Sequence, residues 1–167
     1  MQEPWRSLAL VAATLTLIMG VMWWSFDALL ERRYNPNSGI DTSASGPTHI
    51  ALRADPAGQY VVPGTINGHK VRFLLDTGAT HVAVPQHLAQ QLGLEPGRRI
   101  RVDTAGGRVT ARATVLDRVS IGGIRRSGVR GTISPGLSGD FVLLGMTFLR
   151  DVDFRREGGR LVLSDGR

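Results

Sequence analysis

From residue 48 onward the chain consists of short runs of apolar or alternating residues, separated by turns that contain glycine. Alternation with a period of two is typical of β-strands that bury one face, whereas helices repeat about every 3.6 residues. The pattern predicts strands over 50–54, 60–66, 70–75, 82–84, 98–103, 108–116, 119–121, 124–132, 141–144 and 161–163. One short helix is expected after Pro85, ending before Gly93. This part of the chain is therefore predicted to be an all-β domain with little helix.

The first 33 residues follow a different pattern. Residues 7–26 contain no charged side chain and are mostly Leu, Ala, Val, Ile, Met and Trp. A helix needs about twenty apolar residues to cross the hydrocarbon core of a bilayer. Trp23 and Trp24 lie near the end of the run, where indole rings suit the headgroup region. We expect an uncleaved transmembrane helix; a cleaved signal peptide is the alternative, disfavoured because no small-residue cleavage site follows directly.

Three segments follow from these patterns. Residues 1–33 form the predicted membrane anchor, and 34–47, rich in Asn, Ser, Gly and Pro without apolar periodicity, are expected to form a flexible linker. Residues 48–167 are enough for one domain with a single core but not for two lobes. The positive-inside rule favours a cytoplasmic domain only marginally, since one arginine precedes the apolar run and two follow it.

The chain has 167 residues and a formal net charge of +6, and Lys70 is its only lysine. The first 33 residues are neutral, so the excess positive charge belongs to the rest. Clustered arginines can meet nucleic acid or anionic lipid headgroups, although a solvated surface is the simpler interpretation. Cysteine is absent, which excludes disulfides and thiolate metal sites. The four histidines lack the spacing of metal ligands, so no metal or other cofactor is expected.

One acidic residue stands out by its surroundings. Asp76 follows three apolar residues of a predicted strand and opens the triplet Asp-Thr-Gly at 76–78, which places its carboxylate in a glycine-containing turn. Such a triplet occurs by chance in about a few per cent of chains of this length, so its value as evidence for a catalytic site depends on the residues around it. Here a second apolar run follows it, and the sequence Leu-Leu-Gly appears downstream at 143–145. The other acids lack this combination, so Asp76 must act alone or with a second copy of the chain.

This arrangement resembles the retropepsin-like aspartic proteases, in particular their bacterial membrane-anchored members. The resemblance covers about residues 48–164. Besides the triplet, the segments that carry it are Gly58-Gln59-Tyr60, Ile66-Asn67-Gly68, Leu92-Gly93-Leu94, Thr104-Ala105-Gly106-Gly107, Ile121-Gly122-Gly123 and Leu143-Leu144-Gly145-Met146-Thr147-Phe148-Leu149. Most of these are structural turns, and only the triplet is specific for catalysis. The resemblance implies a single-lobe closed β-barrel that becomes an enzyme only as a homodimer, in which each copy lends one Asp.

Peptide hydrolysis without a nucleophilic side chain or a metal needs one group to activate water and another to protonate the leaving amine. Two carboxylates held close together supply both, because like charges so near cannot both ionise and therefore share one proton. By resemblance, Asp76 and its symmetry mate hold the attacking water and titrate as a unit.

The resemblance also implies roles for the neighbours of Asp76. Thr77 would hydrogen-bond across the dimer to fix the two loops, and Gly78 would let the backbone approach its partner closely. Four further residues are expected to support the loop, two within it and two packed beneath it: Ala79, Thr80, Leu144 and Gly145.

A flap, the mobile hairpin that closes over a substrate, is the second element implied by the resemblance. Its expected residues are Thr104, Ala105, Gly106 and Gly107. The glycines suit both mobility and close backbone contact. Closure would exclude water and order an extended peptide through strand-like main-chain hydrogen bonds.

Together these features predict a membrane-anchored aspartic endopeptidase that acts on peptide or protein substrates as a homodimer. By resemblance it would be a single-pass protein of the bacterial inner membrane with its catalytic domain on the periplasmic side. No nucleic-acid partner is expected. Two alternatives stay open: a catalytically silent module of the same fold that binds a peptide or partner, and a membrane-tethered protein that binds nucleic acid or lipid surfaces through its arginines.

Overall fold

The computed structural model describes the following residues of the chain: 4–42, 46, 48–104 and 106–166. By internal contacts the chain divides into two units, Met1–Tyr34 and Asn35–Arg167. The boundaries expected at 33/34 and 47/48 stay predictions. Within the second unit, the Asn37 side chain accepts a hydrogen bond from the Arg53 N–H and donates to the carbonyls of Arg53 and Val61. These bonds attach the beginning of the expected linker to the β domain.

The first unit consists of helix α1 (Pro4–Tyr34). Its stretch Ala9–Glu31 has a mean hydropathy of 1.8, and the apolar 18-residue window within it is not buried in the protein. This length and composition allow a membrane crossing, but a signal sequence near the N-terminus has the same properties. The transmembrane helix and its alternative therefore both stay predictions.

The second unit is built mainly of strands. Its elements in chain order are β1 (His49–Leu52), β2 (Val61–Ile66), β3 (His69–Leu75), β4 (Val82–Pro85), α2 (Gln86–Ala89), β5 (Arg99–Thr104), β6 (Gly107–Ile121), β7 (Ile124–Ser134), β8 (Phe141–Leu144), α3 (Met146–Leu149), β9 (Val152–Glu157) and β10 (Arg160–Asp165). The predicted strands are all present, with ends shifted by a few residues. This confirms the all-β class that the alternating pattern predicted.

Seven of the strands form one sheet in the order β2-β3-β8-β4-β7-β6-β5. Most neighbours are antiparallel, but β8 runs parallel to β3 and β7 runs parallel to β4. Strand β2 also pairs with β6 through Thr65↔Ser120 and Ile66↔Val119, which brings the sheet back to its first strand. A separate three-stranded sheet has the order β1-β10-β9. The result is the single-lobe, barrel-like domain expected from the sequence.

The barrel encloses one apolar core. Its largest fully buried side chains include Phe73 on β3 and Phe148 on α3. Burying a side chain of this size contributes about 1.5–3 kcal/mol. Where β2 meets β6, a Cβ atom on Gly64 would lie 2.3 Å from the Ser120 carbonyl oxygen, which is closer than such atoms can approach. The close approach of β2 and β6 at this point therefore depends on glycine.

Three details of the predicted element list were wrong. The helix expected after Pro85 is present as α2, but it is not the only short helix of the domain, since α3 is a second one. With four residues, α3 is too short to show a helical repeat in the sequence. Strand β9 was missed because every residue except Val152 is exposed, so it has no alternation. The segments 108–116 and 119–121 are one strand, β6, because pairing with β7 continues past the polar residues 117 and 118.

A buried arginine connects the barrel to the smaller sheet. The Arg126 side chain on β7 is 6% exposed, and its guanidinium donates to the Asp165 carboxylate on β10 at 2.8 Å and to the Asp151 carbonyl. It also lies over the Phe148 ring, 6.0 Å from the centroid. Its Nε is buried without a hydrogen-bond acceptor among the described residues. Much of the cost of burying this charge is thus offset by these contacts with the end of β10, the Asp151 carbonyl and the Phe148 ring.

We expect Arg126→Ala to lower the free energy of unfolding by about 3 kcal/mol, because it removes a buried side chain together with its hydrogen bonds to the Asp165 carboxylate and the Asp151 carbonyl and its packing on the Phe148 ring. Urea denaturation followed by circular dichroism measures the change. The neighbouring Arg125 is exposed, so Arg125→Ala should change stability by less than about 0.5 kcal/mol. Equal effects of the two substitutions would contradict the assigned role of Arg126.

Candidate active site

The loop that carries Asp76 joins β3 to β4. Strand β3 ends at Leu75, which pairs with Leu144 at the end of the parallel strand β8. Because the two strands end side by side, Asp76 and Gly145 begin adjacent segments at the same edge of the sheet. Asp76 is half-buried, whereas Thr77 and Gly78 are exposed at the apex of the loop. The triplet is thus presented at the surface of a single copy of the chain.

Backbone hydrogen bonds fix the position of Asp76. Its N–H donates to the Leu144 carbonyl at 3.2 Å, and its own carbonyl accepts from the Ala79 N–H at 3.2 Å. Its carboxylate oxygen Oδ1 accepts from the Gly78 N–H at 2.9 Å. Within the described part of the chain, no hydrogen bond reaches the other oxygen, Oδ2. One carboxylate oxygen is therefore held by the loop, and the second is left for water, a substrate or a second carboxylate.

The far side of the loop rests on Gly145 and the start of α3. The Met146 N–H donates to the Ala79 carbonyl at 2.8 Å, and the Thr147 N–H donates to the Thr80 carbonyl at 3.0 Å. A Cβ atom on Gly145 would lie 2.6 Å from the Ala79 carbonyl oxygen, so only glycine leaves room for the loop. The structure thus brings Asp76, Ala79, Thr80, Leu144 and Gly145 together.

One supporting residue was missed from the sequence. The Thr147 hydroxyl accepts from the Val82 N–H at 3.1 Å and donates to the Arg130 carbonyl at 2.7 Å. It therefore links the start of β4, directly after the Asp76 loop, to β7. Thr147 lies in the segment 143–149 that carries the resemblance, but its hydroxyl contacts depend on β4 and β7 being neighbours, which local sequence does not reveal.

We expect Thr147→Val to destabilise the protein by about 1–2 kcal/mol, because it leaves the Val82 N–H and the Arg130 carbonyl without their partner. Thr147→Ser keeps the hydroxyl and should retain most of the stability. Thermal unfolding of both variants beside the parent protein measures the difference. If Thr147→Val and Thr147→Ser unfolded at the same temperature, the Thr147 hydroxyl would not stabilise the contact between β4 and β7.

Of the four residues assigned to the flap, Thr104, Gly106 and Gly107 lie at the end of the β5–β6 hairpin. Thr104 pairs with Gly107, and the Thr104 hydroxyl donates to the Gly107 carbonyl at 2.6 Å. Gly107 has a φ of 107°, a conformation that glycine adopts readily. Asp103 and Arg108, both exposed, form an ion pair of 2.8 Å just before the turn. Ala105 lies outside the described residues.

Two of the other acidic residues have clear partners elsewhere in the domain. Asp103 pairs with Arg108 near the flap, and Asp140 pairs with His87 at 3.2 Å and lies 4.0 Å from Arg72. Among the described residues, no group of three or more His, Asp or Glu side chains could hold a metal ion. The catalytic roles assigned to the triplet, its supports and the flap stay predictions.

Comparison with known proteins identifies related sequences. A family model described as gag-polyprotein putative aspartyl protease matches residues 62–151, which are 90 of the 167 residues. The uncharacterized protein in the cobV 5′ region of Sinorhizobium sp is 32% identical over 117 residues, covering 68% of this chain and 50% of that protein. An uncharacterized protein of Rickettsia prowazekii is 31% identical over 123 residues, which cover 71% of this chain and 52% of that protein. The chain spans about half the length of these curated relatives.

A solved structure agrees with the fold described above. The crystal structure of a retropepsin-like aspartic protease from Rickettsia conorii matches with a TM-score of 0.58 and 27% identity, covering 69% of this chain and 89% of that one. The segment matched by the family model contains both the Asp76 loop and Gly145. The protein therefore belongs to the family of gag-polyprotein putative aspartyl proteases and has the retropepsin-like fold.

Proposed function

We propose that the protein is an aspartic endopeptidase, active as a dimer of two copies that each contribute Asp76. The observation that carries the proposal is the Asp76 carboxylate, held at Oδ1 by the Gly78 N–H at 2.9 Å in a loop supported on Gly145. The sequence contains this triplet once, at 76–78. A pair of such carboxylates therefore requires a second copy of the chain.

In the proposed reaction the two carboxylates share one proton. The ionised member takes a proton from water as the water attacks the peptide carbonyl, and the protonated member donates to the developing amine. This division of labour is the established behaviour of aspartic proteases as a class. Because both forms of the pair are needed, cleavage should have a bell-shaped dependence on pH.

The exposed apex of the loop suits contact with a second copy. In the proposed dimer the Thr77 hydroxyl reaches across to the partner loop, and Gly78 lets the two backbones approach. The residues Ala79, Thr80, Leu144 and Gly145 support the loop from within the same copy. Assembly would bury polar groups that a single copy leaves in water, so these groups need matching partners.

Strands β3 and β8 suggest which peptides would bind beside Asp76. Leu74 and Leu143 are cross-strand partners and both are half-buried, whereas their neighbours Phe73 and Val142 are fully buried. Successive side chains of a strand point to opposite faces, so Leu74 and Leu143 share the face away from the core. We propose that this pair receives an apolar side chain of the substrate, with the flap at 104–107 closing over an extended peptide.

We also propose that α1 anchors the protein in a membrane, with residues 1–33 as the anchor, 34–47 as the linker and 48–167 as the protease domain. In this proposal the protein crosses the bacterial inner membrane once, with the catalytic domain in the periplasm. Confinement to a membrane raises the effective concentration of the chains and so favours pairing. A weakly associating domain would then be active mainly when it is anchored in the membrane.

The proposal is tested by measuring peptide cleavage and association state over the same range of protein concentration. The specific activity is expected to fall on dilution together with the dimer fraction, since mass action governs both. Sedimentation velocity gives the dimer fraction, and a quenched fluorescent peptide with central apolar residues reports cleavage. Full activity in a strictly monomeric sample would contradict the dimer. Peptide binding without any cleavage would instead support the silent binding module.

A further inference from the structure

A cavity of about 470 Å³ lies between α2, the segment that follows it and the base of the β5–β6 hairpin. Its volume falls within the range of ligand-binding pockets. No residue of the catalytic loop or of the flap tip lines it. Its floor is apolar and buried, and consists of Ala89, Leu94, Ala111 and Ile133.

Two arginines on the rim of this cavity stand directly opposite each other. Arg99 on β5 and Arg112 on β6 are partners in the antiparallel register, and both are exposed. Like charges at directly opposed positions destabilise a strand pair. Arg112 donates to the Gly97 carbonyl at 3.2 Å. Among the residues that the structure describes, neither guanidinium forms an ion pair, so no direct contact with a carboxylate relieves the repulsion.

The remaining polar rim leaves the cavity with an excess of positive charge. Glu95 also lines it, and its formal charge balances that of one arginine without an ion pair to either, while Gln86 of α2 and Gln90 directly after it add neutral amide groups. A carboxylate placed between Arg99 and Arg112 would pair with both and remove their mutual repulsion. Charge-assisted hydrogen bonds of this kind are about twice as strong as neutral ones.

We propose that this cavity binds an acidic peptide segment, with a Glu or Asp side chain between Arg99 and Arg112 and an adjacent apolar side chain on the floor. The segment is taken to belong to the substrate, and this assignment rests on the proposed proteolytic function. The site is distinct from the groove at Asp76, so it would select proteins by a sequence remote from the cleaved bond.

The position of the two arginines also connects the cavity to the flap. The pair Arg99–Arg112 lies five residues along the hairpin from the pair Thr104–Gly107, which is about 17 Å at the rise of a strand. A carboxylate bridging the two strands at their base would hold them together. Occupation of the cavity therefore stabilises the hairpin whose tip is the proposed flap.

The test uses the full chain carrying Asp76→Asn, so that binding is measured without cleavage. Fluorescence anisotropy compares three short fluorescein-labelled peptides: one with a single Glu among leucines and an amidated C-terminus, its Gln counterpart, and the Gln peptide with a free C-terminal carboxylate. The Glu peptide is expected to bind at least about tenfold more tightly than its Gln counterpart. Arg99→Gln and Arg112→Gln should each remove most of this preference.

The control is Arg125→Gln, which removes the same charge from an exposed position outside the cavity. It should leave the preference for Glu intact. Arg112→Gln should melt at the same temperature as the parent or higher, because it relieves the repulsion at the strand pair, so its loss of affinity is not a folding defect.

Equal binding of the Glu and Gln amides, preference for the free C-terminus, an equal loss in Arg125→Gln, or no peptide binding would each overturn the proposal. These outcomes are independent of the proteolytic activity, which is measured separately with Asp76 in place. Cleavage without binding at the cavity would sink this site alone. Binding without cleavage would sink the proposed function, and with it the assignment of the segment to a substrate, but not the site.

Discussion

Asp76→Asn is expected to reduce kcat/KM for peptide cleavage by at least about 100-fold, because general acid–base catalysis contributes factors of about 10²–10⁴. The substitution changes the chemistry with little change in shape. The amide oxygen can still accept from the Gly78 N–H, which holds Oδ1 at 2.9 Å in the parent. The other atom becomes an NH₂ group, which can neither share a proton with the second carboxylate nor take one from water.

Cleavage of a quenched fluorescent peptide across a range of pH measures this effect. The control is Asp117→Asn, which removes an exposed carboxylate from β6 and should leave both the rate and the bell-shaped profile unchanged. Unaltered melting temperatures of both variants would show that the loss is chemical. Substantial activity in Asp76→Asn would remove Asp76 from the mechanism.

Mixing the two proteins tests whether the catalytic pair is shared between copies. If both copies must supply Asp76, adding an equal amount of the Asn variant to the parent should lower its activity to about half, because mixed dimers are inactive. If each copy worked independently, the activity of the parent would not change. The mixture must be incubated until copies of the chain have exchanged between dimers. Samples carrying different fluorescent labels can show when this exchange is complete.

Gly145→Ala is expected to lower activity by about 100-fold, the loss that a 1 Å displacement of catalytic groups produces. The added Cβ would lie 2.3 Å from the His81 carbonyl oxygen and 2.6 Å from that of Ala79, both backbone atoms that cannot rotate away. The Asp76 loop must therefore move. Forcing an extra methyl group into a packed site also costs about 1–3 kcal/mol of stability.

Gly39→Ala is the matched control, since a Cβ at Gly39 meets no atom within 4 Å. Activity and thermal unfolding are measured on both variants. The informative result is a folded Gly145→Ala protein whose activity falls far more than its stability. Normal activity in that variant would show that the close approach at Gly145 does not position the loop.

The sequence predicted well what local patterns control. Phe73 and Val82 lie on strands whose apolar runs identify them, and the triplet at 76–78 follows directly from its flanking strand. The fold class and the family followed from these features. The hairpin of Thr104 and Gly107 was likewise found from its turn residues.

The sequence did not reveal what depends on distant parts of the chain meeting. The contacts of Thr147 require β4 and β7 to be neighbours, and the burial of Arg126 requires β7 to meet β10. In sequence Arg126 is one of many arginines, and solvation was the simplest interpretation of all of them. The cavity beside Arg112 exists only once α2 lies near the base of the hairpin.

The parallel pairing of β3 with β8 has a consequence for how the protein is made. Asp76 takes its backbone partner from Leu144, 68 positions later, and the loop rests on the N–H groups of Met146 and Thr147. During synthesis a ribosome releases the triplet well before these residues, so the nascent loop has only its own internal hydrogen bonds and lacks the partners on β8 and α3. Contacts between such distant positions also form slowly. The Asp76 loop therefore stays without these supports until nearly all of the barrel has been translated, which would delay the proposed proteolytic activity until the fold is in place.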